Sequence, residues 1–374
     1  MKKRKKLIGA IISAIVIVAL IAGAVYLIAH REIFSDGGLN SMVQKVFSSK
    51  EKKDERIYFD VYSESTFAAM DEMLAVASDA GISVFDNSGE RTTAYNVQLK
   101  SPHIASGDAA ALVWTSGSTE FYYISDASSI KSYEADGGLI GGKMNGSGWF
   151  VISAESTGYK AAATVYDPEA TPVYKWFSGE GYLIDADVAP GNQRLAVSTV
   201  TENGARILSF SLDSETAKGE FVEDDTMYIE IDFMSDSCIC ALSEHSIRFF
   251  PFNLSDSDLY DFPDEYLRNF SFEGDGFAAL LLGKYRTGNE TRLVTVDSSG
   301  REIASVELEC EVLSMTTAGK YTAVAFADDS VVVYNDKLVP VLERTGLIGL
   351  RSAYVRSGGD AVVVTAAEAY QIND

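Results

Sequence analysis

The sequence predicts an all-β protein, namely a β-propeller of eight four-stranded blades preceded by one N-terminal transmembrane helix. Two observations predict the propeller. Eight runs of small and aliphatic residues recur about every 41 residues, and from residue 57 onward turn clusters separate short apolar segments. Four strands of five or six residues, with turns of four or five, use roughly 40 residues, which is one blade. A third observation, an N-terminal apolar run, predicts the membrane helix.

The apolar runs are predicted to be the innermost strands, because strands near the axis of a propeller are crowded and suit small side chains. Such runs contain no clustered His, Asp, Glu or Arg, which argues against a catalytic centre in the channel. The runs are Leu74–Val76, Ala111–Val113, Phe150–Ile152, Leu195–Val197, Ile239–Leu242, Ala279–Leu281, Ala323–Ala325 and Val362–Val364.

The last repeat is one strand short when the sequence stops at Asp374. Residues 57–62 form a strand-like segment ahead of the first full repeat, and we expect them to supply the outer strand of the eighth blade. Such a closure would remove an exposed sheet edge. Seven blades with an irregular eighth unit are the alternative.

The N-terminus carries a membrane signal. Five cations (Lys2, Lys3, Arg4, Lys5 and Lys6) precede an uncharged run from Leu7 to Ala29. As a helix this run would rise about 34 Å, enough to span roughly 30 Å of hydrocarbon. A cleaved signal peptide with Ala22-Gly23-Ala24 as its site is the alternative. The positive-inside rule places the N-terminus in the cytoplasm and the propeller outside, in a single-pass protein of the cell membrane.

The predicted domains follow from these features. They are a basic cytoplasmic tail (1–6), a transmembrane helix (7–29), a tether with a short amphipathic helix (30–56) and the β-propeller (57–374). The tether helix is predicted from apolar residues at helical spacing between Leu39 and Phe47. It could lie on the membrane, pair with a second chain or dock on the propeller.

The net charge of the chain limits the kinds of partner that it can bind. The formal net charge is −23, although the N-terminal tail is basic. A surface this acidic repels nucleic acid, so a role in DNA or RNA binding is excluded. It suits a cationic partner or a counterion-rich wall, and it also favours simple solubility.

No catalytic or cofactor-binding residue is predicted. The segment from Gly137 to Lys143 matches half of a phosphate-binding loop, but Met144 occupies the place of the magnesium-binding hydroxyl and a strand follows. An inter-blade glycine turn is the favoured interpretation. His103 and His245 have no metal-ligand spacing, and no Gly-x-Ser-x-Gly elbow is present.

Metal and disulfide signals are weak. Asp256, Asp258 and Asp261 crowd one predicted loop and are weak calcium candidates, because calcium takes six to eight oxygen ligands. A solvated loop is the favoured interpretation, so no metal site is predicted. The three cysteines are Cys238, Cys240 and Cys310; a bridge from Cys310 to either of the others is open, and buried free thiols are favoured.

Three segments resemble known repeats. The segment from Asp187 to Ser198 resembles the strand, Pro-Asp-Gly turn, strand signature of bacterial WD40-like and YVTN-type propellers, and the segment from Lys320 to Phe326 is similar. Leu293 to Gly300 is similar to the quinoprotein-like repeat. As a whole, the sequence resembles uncharacterised membrane-anchored β-propeller proteins of Gram-positive bacteria. The quinoprotein repeat has a Trp after the turn, which only Trp176 approaches here, so no cofactor is implied.

The sequence therefore predicts a membrane-anchored, extracytoplasmic propeller that acts as a binding or scaffolding module. Its partner would be an envelope protein or a wall polymer, and not a nucleic acid. The alternative is an extracytoplasmic hydrolase or lyase with its site in the propeller channel.

Overall fold

The computed structural model describes residues 56–59, 65–70, 72–126 and 129–373. They form eight four-stranded antiparallel sheets arranged as the blades of a propeller. Blades 1 to 4 contain β2 (Ser65–Ala69), β3 (Met73–Ser78), β4 (Gly81–Asp86), β5 (Arg91–Asn96), β6 (His103–Ser106), β7 (Ala111–Trp114), β8 (Glu120–Asp126), β9 (Ser129–Glu134), β10 (Leu139–Met144), β11 (Phe150–Ala154), β12 (Ala161–Tyr166), β13 (Pro172–Ser178), β14 (Tyr182–Val188), β15 (Arg194–Val200), β16 (Gly204–Ser211) and β17 (Gly219–Asp224).

Blades 5 to 8 complete the ring. They contain β18 (Glu230–Ser235), β19 (Cys238–Leu242), β20 (Ser246–Pro251), β21 (Asp258–Asp261), β22 (Tyr266–Gly274), β23 (Phe277–Gly283), β24 (Thr291–Asp297), β25 (Glu302–Leu308), β26 (Val312–Ala318), β27 (Tyr321–Phe326), β28 (Ser330–Asn335), β29 (Pro340–Arg344), β30 (Leu350–Val355), β31 (Ala361–Thr365), β32 (Glu368–Ile372) and β1 (Ile57–Tyr58). The prediction of eight four-stranded blades is confirmed.

The innermost strand of each blade is its first strand. First strands of consecutive blades contact one another all the way round, and β30 of blade 8 contacts β2 of blade 1. The eight apolar runs are instead the second strands, β3 to β31 in steps of four. Their prediction as innermost strands is wrong, because a second strand is covered on both faces by neighbouring blades and needs apolar side chains on both.

Eight hydrophobic clusters hold the blades together, one at each interface between neighbours. The cluster between blades 4 and 5, for example, joins Ile207 of β16 to Ile231 of β18 and Phe250 of β20. The cluster between blades 8 and 1 joins Val362 and Val364 to Phe67 and Leu74. The core is therefore a ring of inter-blade layers and not a single central mass.

The two ends of the domain pair in blade 8. Ile57 faces Ala369 and Tyr58 faces Glu368 in an antiparallel pair that places β1 at the outer edge of this sheet. Arg56 adds an ion pair with Glu368 at 2.7 Å. The predicted closure is confirmed for residues 57 and 58, whereas residues 60–62 lie outside the described part of the chain.

A β-bulge recurs near the start of the first strands. Register shifts skip one residue in five of them, namely Ile140, Ile184, Arg268, Leu313 and Arg351. A bulge redirects the extra side chain away from the ladder. Because every blade repeats the same strand order, these residues lie at one face of the ring, which we call the start face.

The predicted anchor and tether (residues 1–55) lie outside the described residues, so their structure stays a prediction. Within residues 56–373, and leaving aside the gaps noted above, no helix is long and apolar enough to cross a membrane.

A candidate binding site in the central channel

Carboxylates of blade 4 bind the backbone of blade 5 beside the channel. Asp185 Oδ2 accepts a hydrogen bond from the N–H of Ile231 at 2.9 Å. Two residues further along the same strand, Asp187 Oδ2 accepts from the N–H of Phe233 at 2.7 Å. Alternate residues of a strand share a face, so both carboxylates of β14 point toward blade 5.

Lys143 of blade 3 reaches across blade 4 into the same place. Its Nζ lies 2.8 Å from Asp185 Oδ2 and 3.6 Å from Asp232 Oδ2, and it forms an ion pair with Glu230. It also donates to the carbonyl of Ile231 at 2.6 Å. Three successive inner strands thus converge on one ammonium group, which is possible only near the axis.

We define the acidic channel cluster as Lys143 with Asp185, Asp187, Glu230, Asp232 and Glu273. Five carboxyl groups therefore share one ammonium group. The side chains of Lys143 and Asp232 are 18% and 16% exposed, and that of Glu230 is 24% exposed. Asp187 is buried, whereas Glu273 is exposed to solvent, and the other members of the cluster lie between these extremes.

The electrostatics reflect this excess of negative charge. Burial raises the pKa of Asp187 to about 7; Lys143 and the Phe233 N–H oppose this shift, and Asp185 and Glu273 add to it. Burial, followed by repulsion from Asp187, likewise raises the pKa of Asp232 well above its usual range.

The pKa values of Glu273 and Lys143 are also shifted by the excess of carboxyl groups. Glu273 contacts solvent, but the surrounding protein and the charge of Asp232 raise its pKa to about 7. Desolvation lowers the pKa of Lys143, but the nearby carboxylates outweigh it and hold this pKa well above its usual range. Lys143 is therefore a permanent cation, while some of the carboxyls titrate near neutral pH.

Blades 6 to 8 make the same inter-blade links with hydroxyl groups. Ser314 Oγ accepts from the N–H of Ala353 at 3.0 Å, and Thr316 Oγ1 accepts from the N–H of Val355 at 3.1 Å. Ser314 and Thr316 follow the bulge of β26 as Asp185 and Asp187 follow the bulge of β14. Ser271 of blade 6 binds the N–H of Thr317 at 3.1 Å in the same way.

The hydroxyl links of blades 6 to 8 show what the fold itself requires of the inner strands. Hydroxyl oxygens satisfy the inner-strand N–H groups in blades 6 to 8, so the fold does not require carboxylates there. Blades 3 to 5 contain more charged side chains than are needed as acceptors for the inner-strand N–H groups, and desolvating these charges is unfavourable. Strongly perturbed carboxyls in a concave site mark a candidate functional site.

The weak calcium candidates do not form a site. Asp258 and Asp261 lie in the outer strand β21, with Asp256 in the turn before it, so the predicted loop is partly a strand. Residues three apart in a strand point to opposite faces, which separates the carboxylates of Asp258 and Asp261. Among the described residues, no group of three or more His, Cys, Asp or Glu side chains is placed to hold a metal ion.

The remaining sequence candidates lie apart from the cluster. His103 of β6 stacks on Trp114, and His245 lies in the turn between β19 and β20. Cys238, Cys240 and Cys310 are all free thiols. The sequence predicts a glycine turn from Gly137 to Lys143, but the inner strand β10 begins at Leu139, so the prediction is wrong for all but Gly137 and Gly138.

Sequence reasoning missed the acidic channel cluster because it assigned the inner strands to the wrong segments. One signal was available, namely acidic residues two apart in Asp185-Ala186-Asp187 and in Glu230-Ile231-Asp232. Each pair lies in the strand just before an apolar run, which is where the inner strand proves to be.

An open cleft of about 470 Å³ lies elsewhere, against blade 3 and the end of blade 2, and its lining includes Asp136, Tyr174 and Lys175. It holds none of the channel carboxylates. Because the perturbed charges converge in the channel and not in this cleft, we assign the candidate site to the channel.

Comparison with known sequences places the protein in a family. Residues 44–354 match the profile of the family of unknown function DUF5711. The chain belongs to this family. No curated protein matches this DUF5711 chain in sequence.

Solved structures share the fold of this DUF5711 protein. Sqt1 of Saccharomyces cerevisiae is 9% identical, with a TM-score of 0.60 over 85% of this chain and 98% of that one. The C-terminal WD40 domain of Sif2 is 10% identical, with a TM-score of 0.59 over 85% and 99%. BamB of Moraxella catarrhalis is 15% identical, with a TM-score of 0.51 over 85% and 96%. At these identities the likeness shows a WD40-like β-propeller fold and nothing further.

Proposed function

We propose that this protein is a membrane-anchored, extracytoplasmic propeller that binds a protein partner through its central channel. The observation that supports the proposal is the acidic channel cluster, in which carboxylates occupy positions that hydroxyl groups fill in the other half of the ring. Five carboxyls with one ammonium favour a cationic partner group. A wall polymer bearing amines is the competing kind of partner.

The anchor rests on the sequence. Five cations ahead of the apolar run from Leu7 to Ala29 support a single-pass topology with the propeller outside, as in the Gram-positive proteins that the sequence resembles. A tethered propeller would meet membrane neighbours at high effective concentration. Protease added to intact protoplasts should digest the propeller, and its protection would contradict this topology.

Crosslinking in living cells tests the binding function. A photoreactive residue would replace Met227, an exposed residue preceding β18, or Gln193, an exposed residue of the turn at the opposite end of blade 4. A discrete protein adduct from either position supports the proposal. An adduct that disappears on digestion of the wall polymer assigns the partner to the wall, and no adduct from either position contradicts a binding role.

An extracytoplasmic hydrolase or lyase is the second candidate function. Asp187 and Glu273 both have a pKa of about 7, which suits general acid–base chemistry at neutral pH. Turnover of an envelope glycan or peptide by the purified full-length chain, abolished by Asp187→Asn, would establish the enzyme and overturn the binding module.

A further inference from the structure

The charged half of the channel opens between apolar side chains on the start face. Ile184 is the half-buried bulged residue directly before Asp185, and Ile140, the bulged residue of the same position in blade 3, packs partly against the core between blades 3 and 4. Ile229 directly precedes Glu230 and is 37% exposed. We call Ile140, Ile184 and Ile229 the apolar rim.

The rim continues outward on the same blades. Tyr182, which begins β14, is 62% exposed, with Lys160 Nζ 4.7 Å from the centre of its ring, and Met227, just before β18, is 48% exposed. Large exposed apolar side chains grouped around a polar centre are typical of an interaction surface. Here the apolar rim and all members of the acidic channel cluster except Glu273 of blade 6 belong to the same three blades.

Two blades of the other half differ at the equivalent positions, whereas blade 7 carries the apolar Leu313, which is 40% exposed. The bulged residues of blades 6 and 8 are Arg268 and Arg351, both exposed, and the channel positions behind the bulges are Asn269, Ser271 and Ser352. That half offers cations at its rim and no carboxylate at these positions. Although blade 6 also carries Glu273 further along its inner strand, the charges at these positions favour a cationic segment on blades 3 to 5 over one on blades 6 and 8.

We propose that the start face of blades 3 to 5 binds an amphipathic, cationic peptide segment of a protein partner. A lysine or arginine side chain of that segment enters the channel among the carboxylates, and its apolar neighbours pack on the apolar rim. This inference rests on the proposed binding function and adds the face, the residues and the chemistry of the partner.

Charge complementarity supports this occupant over others. An anionic segment would meet five carboxyls, and an uncharged apolar segment would leave them without a counter-charge. A polyamine would satisfy the charge but would leave the apolar rim uncovered. Only a segment with both features matches the whole surface.

Direct binding tests the inference. The full-length chain in zwitterionic nanodiscs would be titrated against a short fluorescent peptide of alternating lysine and leucine, with empty nanodiscs measured in parallel. The variant Asp185→Ser/Asp187→Thr copies blade 7, so the inter-blade hydrogen bonds remain; at about pH 8.5, where Asp187 with its pKa of about 7 is ionised, two charges disappear. We expect its dissociation constant to rise at least about tenfold, with a shallower dependence on salt.

Rim variants separate the apolar contribution from the charge. Ile184→Ser/Ile229→Ser should weaken binding about three- to tenfold without changing the salt dependence, whereas the matched control Leu313→Ser, at the bulge of blade 7, should leave it unchanged. A lysine–serine peptide should bind more weakly, and a glutamate–leucine peptide should not bind.

Two results would overturn the inference. One is equal affinity of the lysine–leucine peptide for the wild type and for the Asp185→Ser/Asp187→Thr variant, with melting temperatures showing that both are folded. The other is equal binding of the glutamate–leucine peptide. If cellular crosslinks to a partner persist in that variant, the proposed function stands while this inference fails; if no crosslink forms at all, the proposed function fails as well.

Discussion

The two halves of the channel solve the same structural problem with different chemistry. In blade 4 the carboxylates of Asp185 and Asp187 bind the next inner strand, and in blade 7 the hydroxyls of Ser314 and Thr316 do so. A hydroxyl can also donate, as Thr316 does to the Ala353 carbonyl at 3.1 Å. A carboxylate only accepts, and it brings a charge that the neighbouring Lys143 must offset. The hydroxyls of blade 7 therefore show what the fold requires, and the carboxylates of blade 4 add charge that the fold does not require.

The largest effect should come from removing the cation of the charged half. Lys143→Met leaves the carboxylates that surround it uncompensated, and we expect the free energy of unfolding to fall by about 3 kcal/mol at neutral pH. Glu230 and Asp232 already have raised pKa values in the folded protein. The folded state therefore binds protons more tightly than the unfolded state, so the variant should recover stability as the pH falls.

Denaturant unfolding of the full-length chain at two pH values measures this loss. Lys175→Met is the matched control, because Lys175 pairs with the exposed Asp136 at the surface and should contribute at most about 1 kcal/mol. Equal losses from the two substitutions would show that the channel cations and carboxylates are not coupled.

The second-largest loss of stability should come from introducing carboxylates into blade 7, where hydroxyl groups make the inter-blade hydrogen bonds. Ser314→Asp/Thr316→Asp places two carboxylates beside a blade that carries Ser271 in place of a lysine, and we expect a loss of about 2 kcal/mol at neutral pH. Ser271 occupies the position of Lys143 relative to its bulge, so adding Ser271→Lys should restore part of the loss. Chemical denaturation of the double and triple variants tests this, and an unaffected double variant would mean that the halves tolerate charge equally.

A smaller effect concerns the proton of Asp187. Its pKa is about 7 when folded, against an ordinary value of 3.8, so its contribution to stability is present at low pH and is lost as the pH rises through about 7. Asp187→Asn keeps an acceptor for the Phe233 N–H but does not titrate. We expect it to reduce the decline in stability between acid and neutral pH by about 1 kcal/mol, measured by urea unfolding across that range. An identical pH profile would show that Asp187 is ionised throughout.

The smallest effect should be that of Asp185→Ser/Asp187→Thr on stability. Blade 7 shows that hydroxyls can accept from both N–H groups, and at about pH 5.5 Asp187 is already protonated, so the loss should stay within about 0.5 kcal/mol. Thermal melting of the full-length chain checks this. A large loss would mean that the carboxylates are required for the fold, which would remove the main argument for a functional site.

The sequence predicted the fold more fully than the site, for a physical reason. The apolar second strands, such as Ala279–Leu281 and Val362–Val364, are covered on both faces, so their composition recurs in every blade and reveals the period. Five of the inner strands share a bulge, and those of blades 4, 6 and 7 share a side-chain acceptor, which Asp, Ser and Thr can each supply. The sequences of the inner strands therefore differ from blade to blade. Lys143, Asp185 and Glu230 come together only when neighbouring blades pack in the ring, and a local sequence pattern cannot reveal this.

The pairing of β1 with β32 in blade 8 can form only after the last blade has been synthesised. Arg56 and Glu368, whose ion pair flanks the β1–β32 pair, lie 312 residues apart in the chain. At a synthesis rate of about 5–20 residues per second, β1 would wait roughly 15–60 s for its partner. During that time the blade 1 residues Phe67 and Leu74, which later pack against blade 8, stay uncovered. Folding of this ring is therefore slow to complete, and a nascent chain is most prone to misassembly at the blade that closes last.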